Sequence, residues 1–207
     1  LITAGATFEA IDPVRGITNI SSGKMGVALA RTCRSAGAEV SLIYGQLQTE
    51  LPFGISNTVQ TVSAEDMHRA VHRLIEKQDA FISVAAVSDY RVKNRSTQKF
   101  KKDKNANPLS IELDENPDIL ASIASLPNPP FCIGFAAETE NVLAYAREKR
   151  IKKKIPMIVA NDVSIAMGKS TNRITIIGDD GELSFPETSK DKAAMWIVER
   201  LAVYLDK

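Results

Sequence analysis

Short apolar runs rich in β-branched residues recur along the chain at residues 1–4, 39–44, 58–62, 80–87, 131–135 and 157–160. Between most of them lie stretches of helical period: 24–36 ending at Gly37, 64–77 behind the box Ser63…Asp66, 117–125 and 141–154. Asn116 before Pro117 predicts a capped start for the third of these, with proline in the first turn. Strand alternating with helix predicts a mostly parallel sheet covered on both faces. The rhythm then changes. Residues 172–178, the turn Asp179-Asp180-Gly181 and residues 182–185 predict a β-hairpin. A last amphipathic helix is expected from about 190 to 205. The pattern predicts one α/β domain of three layers, α/β/α, with a hairpin appendage and no internal repeat.

Two stretches break the rhythm. Residues 88–107 have few apolar positions and carry Arg91, Lys93, Arg95, Lys99, Lys101, Lys102 and Lys104. A loop this long in a compact domain is usually functional or disordered. The second stretch, 160–171, is polar and again follows a strand. Length and composition leave the picture unchanged: 207 residues with 44% hydrophobic and 25% charged content suit one soluble domain, or one domain plus a small appendage. A net charge of +1 excludes a uniformly basic or acidic surface. No apolar run reaches membrane length and no signal peptide is visible. Cys33 and Cys132 are unclustered, which fits a reducing compartment, and the cytoplasm is the expected location. The chain starts without Met inside a strand, as expected of a piece of a longer protein.

Chemistry concentrates in Ile11-Asp-Pro-Val-Arg-Gly-Ile-Thr-Asn-Ile-Ser-Ser-Gly-Lys-Met-Gly26, between the first strand and the first helix. A polar, glycine-containing loop there meets the positive end of a helix, whose first N–H groups are unpaired. Asn19 offers an amide, Arg15 a fixed charge, and Ser21 and Ser22 offer hydroxyls. The expected ligand is an anionic small molecule. Six residues separate Gly16 from Gly23, and Met25 follows Lys24, so the loop is no P-loop. Gly5-Ala6-Thr7 stands where a dinucleotide fingerprint would begin, which counts against a nicotinamide-dependent oxidoreductase.

If the strands are parallel, four polar loops meet at one edge of the sheet: 7–23, 83–104, 134–139 and 160–162. Their abundant charges are cationic, the profile of phosphoryl or nucleotidyl transfer. His68 and His72 have the i, i+4 spacing of zinc ligands, but Arg69 lies between them and no third ligand follows, so a solvated helix face is expected. Lys99–Lys104 offers a nucleic-acid contact as a rival reading, with only Tyr90 and Phe100 nearby for stacking. Arg147–Lys154 ends a helix, where cations are favoured in any case. Lys149 and Lys153 project to one side of it.

The run from Asp12 to Gly26 closely resembles the signature of bacterial phosphopantothenoylcysteine synthetase, the ligase half of the bifunctional coenzyme A biosynthesis protein. Further matches follow in order: Ala85-Ala-Val-Ser-Asp-Tyr90, Lys99-Phe-Lys-Lys102, Asn116-Pro-Asp-Ile-Leu120, Gly134-Phe-Ala-Ala-Glu-Thr139, Lys149…Lys153 and Val159-Ala-Asn-Asp162. Phe8, Ala10 and Ser88 depart from the family's usual Arg, Pro and Ala. The resemblance spans essentially the whole chain and implies a Rossmann-like, mostly parallel sheet.

It also implies a two-step ligation. 4′-Phosphopantothenate and CTP give an acyl-cytidylate and pyrophosphate, and the amine of cysteine then displaces CMP. By similarity Lys99 neutralises the α-phosphate, with Mg²⁺ bridging phosphate oxygens through unassigned ligands. Asn19 holds the pantothenate carboxyl and then the oxyanion, and Arg15 and Ala86 support that substrate. Ser22, Gly23, Ser83, Val84, Ala85, Asp89, Pro117, Asp118, Ile119, Leu120, Phe135, Lys149 and Lys153 are the implied nucleotide-binding positions. The family implies a homodimer and a fused FMN-dependent decarboxylase domain, with no nucleic-acid or membrane partner.

Overall fold

Six of the apolar runs lie side by side and parallel in the computed structural model, which describes residues 1–55, 57–101, 110–162 and 171–206. The first half of the chain gives β1 (Ile2–Ala4), β2 (Phe8–Ala10), β3 (Gly16–Thr18), α1 (Lys24–Ser35), β4 (Ser41–Tyr44), β5 (Asn57–Gln60) and α2 (Ala64–Leu74). Next come β6 (Ala80–Ser83), β7 (Tyr90–Val92), β8 (Leu113–Glu115), α3 (Ile119–Ala124), β9 (Phe131–Glu138), α4 (Val142–Lys153) and β10 (Met157–Asp162). The remainder forms β11 (Thr171–Asn172), β12 (Ile174–Gly178), β13 (Gly181–Ser184), β14 (Thr188–Ser189) and α5 (Lys190–Leu205).

The main sheet runs β13-β12-β10-β9-β6-β1-β4-β5. From β5 to β10 all pairs are parallel, and β12 and β13 close one edge antiparallel. Strand order therefore reverses at β1: the chain moves outward to β4 and β5, then returns to β6 on the other side. In open α/β sheets ligands bind outside the carboxyl ends of the strands at such a reversal. Short antiparallel pairs, β2–β3, β7–β8 and β11–β14, decorate the framework.

Period-two alternation divides the strands between two cores. Ile2, Leu42, Ile82, Ile133, Val159 and Ile176 face α1 and α5. Ile43, Phe81, Cys132, Ile158 and Ile177 face α2, α3 and α4. Both cysteines are buried, and burial pushes each thiol up to about 11. Such thiols are poor nucleophiles at neutral pH.

Several boundaries differ from expectation for local reasons. The run 80–87 stops being a strand at Ser83, because the Val84 and Ala85 N–H groups turn to Thr3 Oγ1 (3.2 and 3.3 Å). The helix expected at 117–125 starts at Ile119, capped by Asp118, whose carboxylate accepts from Ala121 N–H at 3.0 Å. Asn116 is therefore not the cap; its amide instead donates to Ser88 O at 2.9 Å. The signature loop supplies the turn and the second strand of the β2–β3 hairpin. The segment 88–107 is not one long loop: β7 pairs with β8, and the Ser96 N–H bonds to Ile11 O at 3.0 Å. Its residues 102–107 lie outside the described residues, as do 163–170 of the second polar stretch. The expected hairpin is β12–β13, and it continues the main sheet rather than standing apart.

The box at the start of α2 forms reciprocally between Ser63 and Asp66. Glu9, 4% exposed, adds its carboxylate to that helix start and accepts from Ala64 N–H at 2.8 Å. Burial raises its pKa, although that hydrogen bond favours the charged form.

Candidate active site

The carboxyl ends of β1, β6, β9 and β10 point to one edge, where the signature loop crosses β1. Two glycines set that crossing. Gly23 caps α1 at φ 72°, a left-handed conformation that favours glycine. Gly26 lies so close to β1 that a Cβ there would be 2.5 Å from the Ala4 Cβ. Gly23 has no side chain to cap α1; Ser21 and Ser22 Oγ accept from the Gly23 and Lys24 N–H groups at 3.3 and 3.5 Å, and Met25 and Gly26 follow them along the cavity lining.

That first cavity, about 490 Å³, is lined by Asn19, Ser21, Ser22, Lys24, Met25, Thr139, Asn161, Asn172 and Lys190, among others. A second cavity of about 670 Å³ lies beside it, lined by Ser83 to Tyr90, Glu115 to Leu120, Glu138, Lys149 and Lys153. Both sizes suit a small-molecule ligand. The two share Asn19, Val84, Ala86, Phe135 and Ala137 as a common wall. The wall is held by buried threonines: Thr3 anchors Val84 and Ala85, and Thr7 Oγ1 accepts from Ser88 N–H at 2.9 Å. Ala86 N–H bonds to Gly5 O at 2.8 Å. Asn19 lies across this seam, donating its amide to Val87 O at 3.0 Å.

Cations enter both cavities. In the second, Lys149 Nζ donates to Phe135 O at 2.9 Å, and Lys153 pairs with Asp118 at 2.8 Å. Burial lowers the Lys149 pKa, and the like charge of Lys153 adds to this. Burial opposes ionisation of Asp118, yet the Lys153 hydrogen bond and the Ala121 N–H hold its carboxyl below the usual range. In the first, burial and the neighbouring Lys24 charge lower the Lys190 pKa.

The structure thus separates residues that sequence reasoning grouped together. Ser22 and Gly23 line the first cavity only. Ser83, Ala85, Asp89, Pro117, Asp118, Ile119, Leu120, Lys149 and Lys153 line the second only, while Val84 and Phe135 line both. Arg15 and Lys99 line neither. Arg15 is bound to the buried Asp12 carboxylate and donates to Phe100 O at 3.0 Å. Phe100 N–H bonds to Asp12 at 3.1 Å, which ties the exposed Lys99 to the tip of the β2–β3 hairpin. The Arg15 guanidinium and these backbone donors hold the Asp12 carboxyl well below the usual carboxylate range.

Lys190 and Asn172 were missed because they stand far along the chain in segments without a motif. Of the departures, the Phe8 ring packs under Gly16, and Ser88 Oγ donates to Tyr90 O at 2.8 Å, so the fold absorbs both. His68 and His72 are not a fully solvated face: both are half-buried, and His72 Nε2 lies 2.9 Å from Ser122 Oγ of α3. Among the described residues no group of three or more His, Cys, Asp and Glu is placed to hold a metal. Among them, too, no helix is long and apolar enough to cross a membrane.

Residues 1–204 match the family described as DNA/pantothenate metabolism flavoprotein C-terminal domain. The coenzyme A biosynthesis bifunctional protein CoaBC of Vibrio cholerae is 48% identical over 198 residues, covering 94% of this chain and 49% of that protein. The CoaBC of Escherichia coli is 38% identical over 212 residues, covering 100% of this chain and 52% of its own length. The chain therefore spans about half the length of these curated relatives. The crystal structure of the C-terminal domain of a CoaBC superposes with a TM-score of 0.83 at 39% identity, over 99% of this chain and 94% of that one.

Proposed function

The chain belongs to the DNA/pantothenate metabolism flavoprotein C-terminal domain family, and we propose that it carries out the ligase step of coenzyme A biosynthesis. In this reading CTP and 4′-phosphopantothenate yield 4′-phosphopantothenoyl-cytidylate and pyrophosphate, and L-cysteine converts the acyl-cytidylate to 4′-phosphopantothenoylcysteine and CMP. The observation that carries it is a pair of cavities, each with two lysines in its lining, that meet at Asn19. Both substrates are phosphorylated, and their reacting ends, a carboxylate and an α-phosphate, must touch. Two charged lobes with one shared wall suit that requirement.

CTP occupies the second cavity, with its phosphates near Lys149 and Lys153 and its base or sugar against Pro117 to Leu120. Phosphopantothenate occupies the first, its phosphate drawn to Lys24, Lys190 and the amino end of α1. Ser22 and Gly23 then serve phosphopantothenate rather than the nucleotide, and Ala86 bounds both. Asn19 meets the carboxyl, and its second amide hydrogen remains for the oxyanion that cysteine attack creates. Lys99 and Arg15 supply charge from the hairpin edge. Mg²⁺ arriving with the nucleotide would be held by carboxylates lining the second cavity, such as Asp89 and Glu138, and would neutralise phosphate charge. The residues form a single domain that works as a homodimer in the cytoplasm. FMN belongs to a fused or associated decarboxylase domain.

The test is pyrophosphate release. It should require CTP and phosphopantothenate together, and CMP should appear only when cysteine is added. Turnover of a nicotinamide cofactor instead, or nucleic-acid binding without pyrophosphate release, would replace this reading with one of its rivals.

Lys149 adds a pH signature. Its pKa in the folded chain is lowered, so it loses its proton at a lower pH than an ordinary lysine. As pH rises through that value, CTP affinity should fall while phosphopantothenate affinity holds. Stability should move the other way. Burying the charged form costs most below the folded pKa, and the cost is relieved as pH rises toward 10.5. Titrating CTP binding against pH for the wild type and Lys149→Arg checks this; the variant, protonated throughout, should shift the alkaline loss upward. Identical profiles would remove Lys149 from the nucleotide site.

A further inference from the structure

Both sides of the Asn19–Val87 hydrogen bond are tied to one buried residue behind it. Thr7 is 0% exposed and lies between β1 and β2, where the chain leaves the sheet for the hairpin. Its backbone oxygen accepts from the Thr18 hydroxyl at 2.7 Å, one residue before Asn19. Its backbone N–H bonds to Ala86 O at 3.3 Å, one residue before Val87. Its Oγ1 accepts from the Ser88 N–H at 2.9 Å, one residue after Val87. Thr7 itself lines neither of the two cavities.

The last contact is directional. The Val87 C=O and the Ser88 N–H belong to one planar, trans peptide unit, so its oxygen and its hydrogen point in opposite directions. With the hydrogen held by Thr7 Oγ1, the oxygen is aimed at Asn19, where it accepts from Nδ2 at 3.0 Å. A carbonyl at that place selects the NH₂ side of the carboxamide, because two oxygens have no hydrogen to share. We propose that Thr7 is a positioning residue: its hydroxyl fixes the Val87–Ser88 peptide and thereby decides which way the Asn19 carboxamide faces. The proposal rests on the reading of Asn19 as the oxyanion donor. Without Oγ1 the Ser88 N–H has lost its partner in a buried place, which favours rotation of the peptide. Its N–H would then face Asn19 and select the carboxamide oxygen, putting an acceptor where a donor is required.

Thr7→Val removes the acceptor and Thr7→Ser keeps it. The side-chain amide of Asn19 is followed by nuclear magnetic resonance in nitrogen-labelled protein, assigned as the signal missing from Asn19→Ala. One of its two hydrogens should be shifted by the bond to Val87; the shift should vanish in Thr7→Val and persist in Thr7→Ser. In turnover, Thr7→Val should slow the cysteine step roughly tenfold to a hundredfold, the loss expected of a misplaced group, and acyl-cytidylate should accumulate. Thr7→Ser should restore most of that rate, and KM for CTP should not move in either variant. In an Asn19→Ala background Thr7→Val should bring no further loss at the cysteine step, because the donor it aims is already gone. If Thr7→Val does not fold, Thr7→Cys, whose sulfur is a weak acceptor, takes its place.

An Asn19 amide signal unchanged in Thr7→Val would overturn the proposal. So would a moved signal with the cysteine step intact, or losses in Thr7→Val and Asn19→Ala that multiply in the double variant. Resonance and rate together separate this from failure of the ligase reading. If the signal responds to Thr7 but no protein, wild type included, releases pyrophosphate, the hold of Thr7 on Asn19 stands and the ligase reading falls. Turnover with a signal indifferent to Thr7 would do the reverse.

Discussion

Replacing Asn19 with aspartate is expected to slow product formation roughly 10²–10³-fold, the usual loss when one oxyanion donor is removed. It should do so mainly at the second step. The Asn19 amide already donates one hydrogen to Val87 O, and in the proposed reaction its other hydrogen would face the developing charge. A carboxylate at neutral pH has no hydrogen to give. It would also place an oxygen against the Val87 carbonyl and a negative charge beside two anionic substrates. Cytidylation needs the residue only to position a carboxyl, whereas cysteine attack needs a donor to a new oxyanion. Acyl-cytidylate should therefore accumulate in quenched samples of the variant. If both steps slow equally and no intermediate is found, Asn19 is a general binding residue and the seam has no special part in the second step.

Lys99→Gln should be nearly as damaging, and for a different reason. Lys99 is exposed and lines neither cavity, so its removal should leave thermal stability within about 0.5 kcal/mol of the wild type. Pyrophosphate release should nonetheless fall by about 10²–10³, because a charge brought to the α-phosphate acts mainly in the transition state. The two measurements belong together. Lost stability would point to the Asp12–Arg15–Phe100 clamp instead of the chemistry. Release within about threefold of the wild type would remove Lys99 from the mechanism.

Much of the framework was readable because its causes are local. The Ser63…Asp66 box and the 190–205 helix follow from short-range hydrogen bonds and period. The alternating strands follow from two apolar cores, one on each face. Misreadings arose where distant groups decide. Val84 and Ala85 look like strand but are turned by the Thr3 hydroxyl, eighty positions away in sequence. Asn116 looks like a cap, yet Ser88 O claims its side chain and Asp118 takes over.

Within the site, Asn19 and the Lys149–Lys153 pair announced themselves through loop position and helical spacing. The division into two lobes did not, since it depends on which side of β6 and β9 each loop falls. Lys190 and Asn172 carry no motif. Only the folding back of β11, β14 and α5 brings them to α1.

That folding back has a consequence for how the molecule is made. α1 packs on α5, and Arg31 reaches Asp191 across 160 positions. The central strand is the earliest part of the described chain, yet one of its two covering layers is completed by the latest. On the ribosome, which adds about 5–20 residues per second, β1, β4 and α1 must wait many seconds with an apolar face open. The opposite layer, built from the more consecutive α2, α3 and α4, can close sooner. Acquisition of structure during synthesis is thus lopsided: the face that carries the amino end of α1 is the last to be shielded from water, and from other nascent chains.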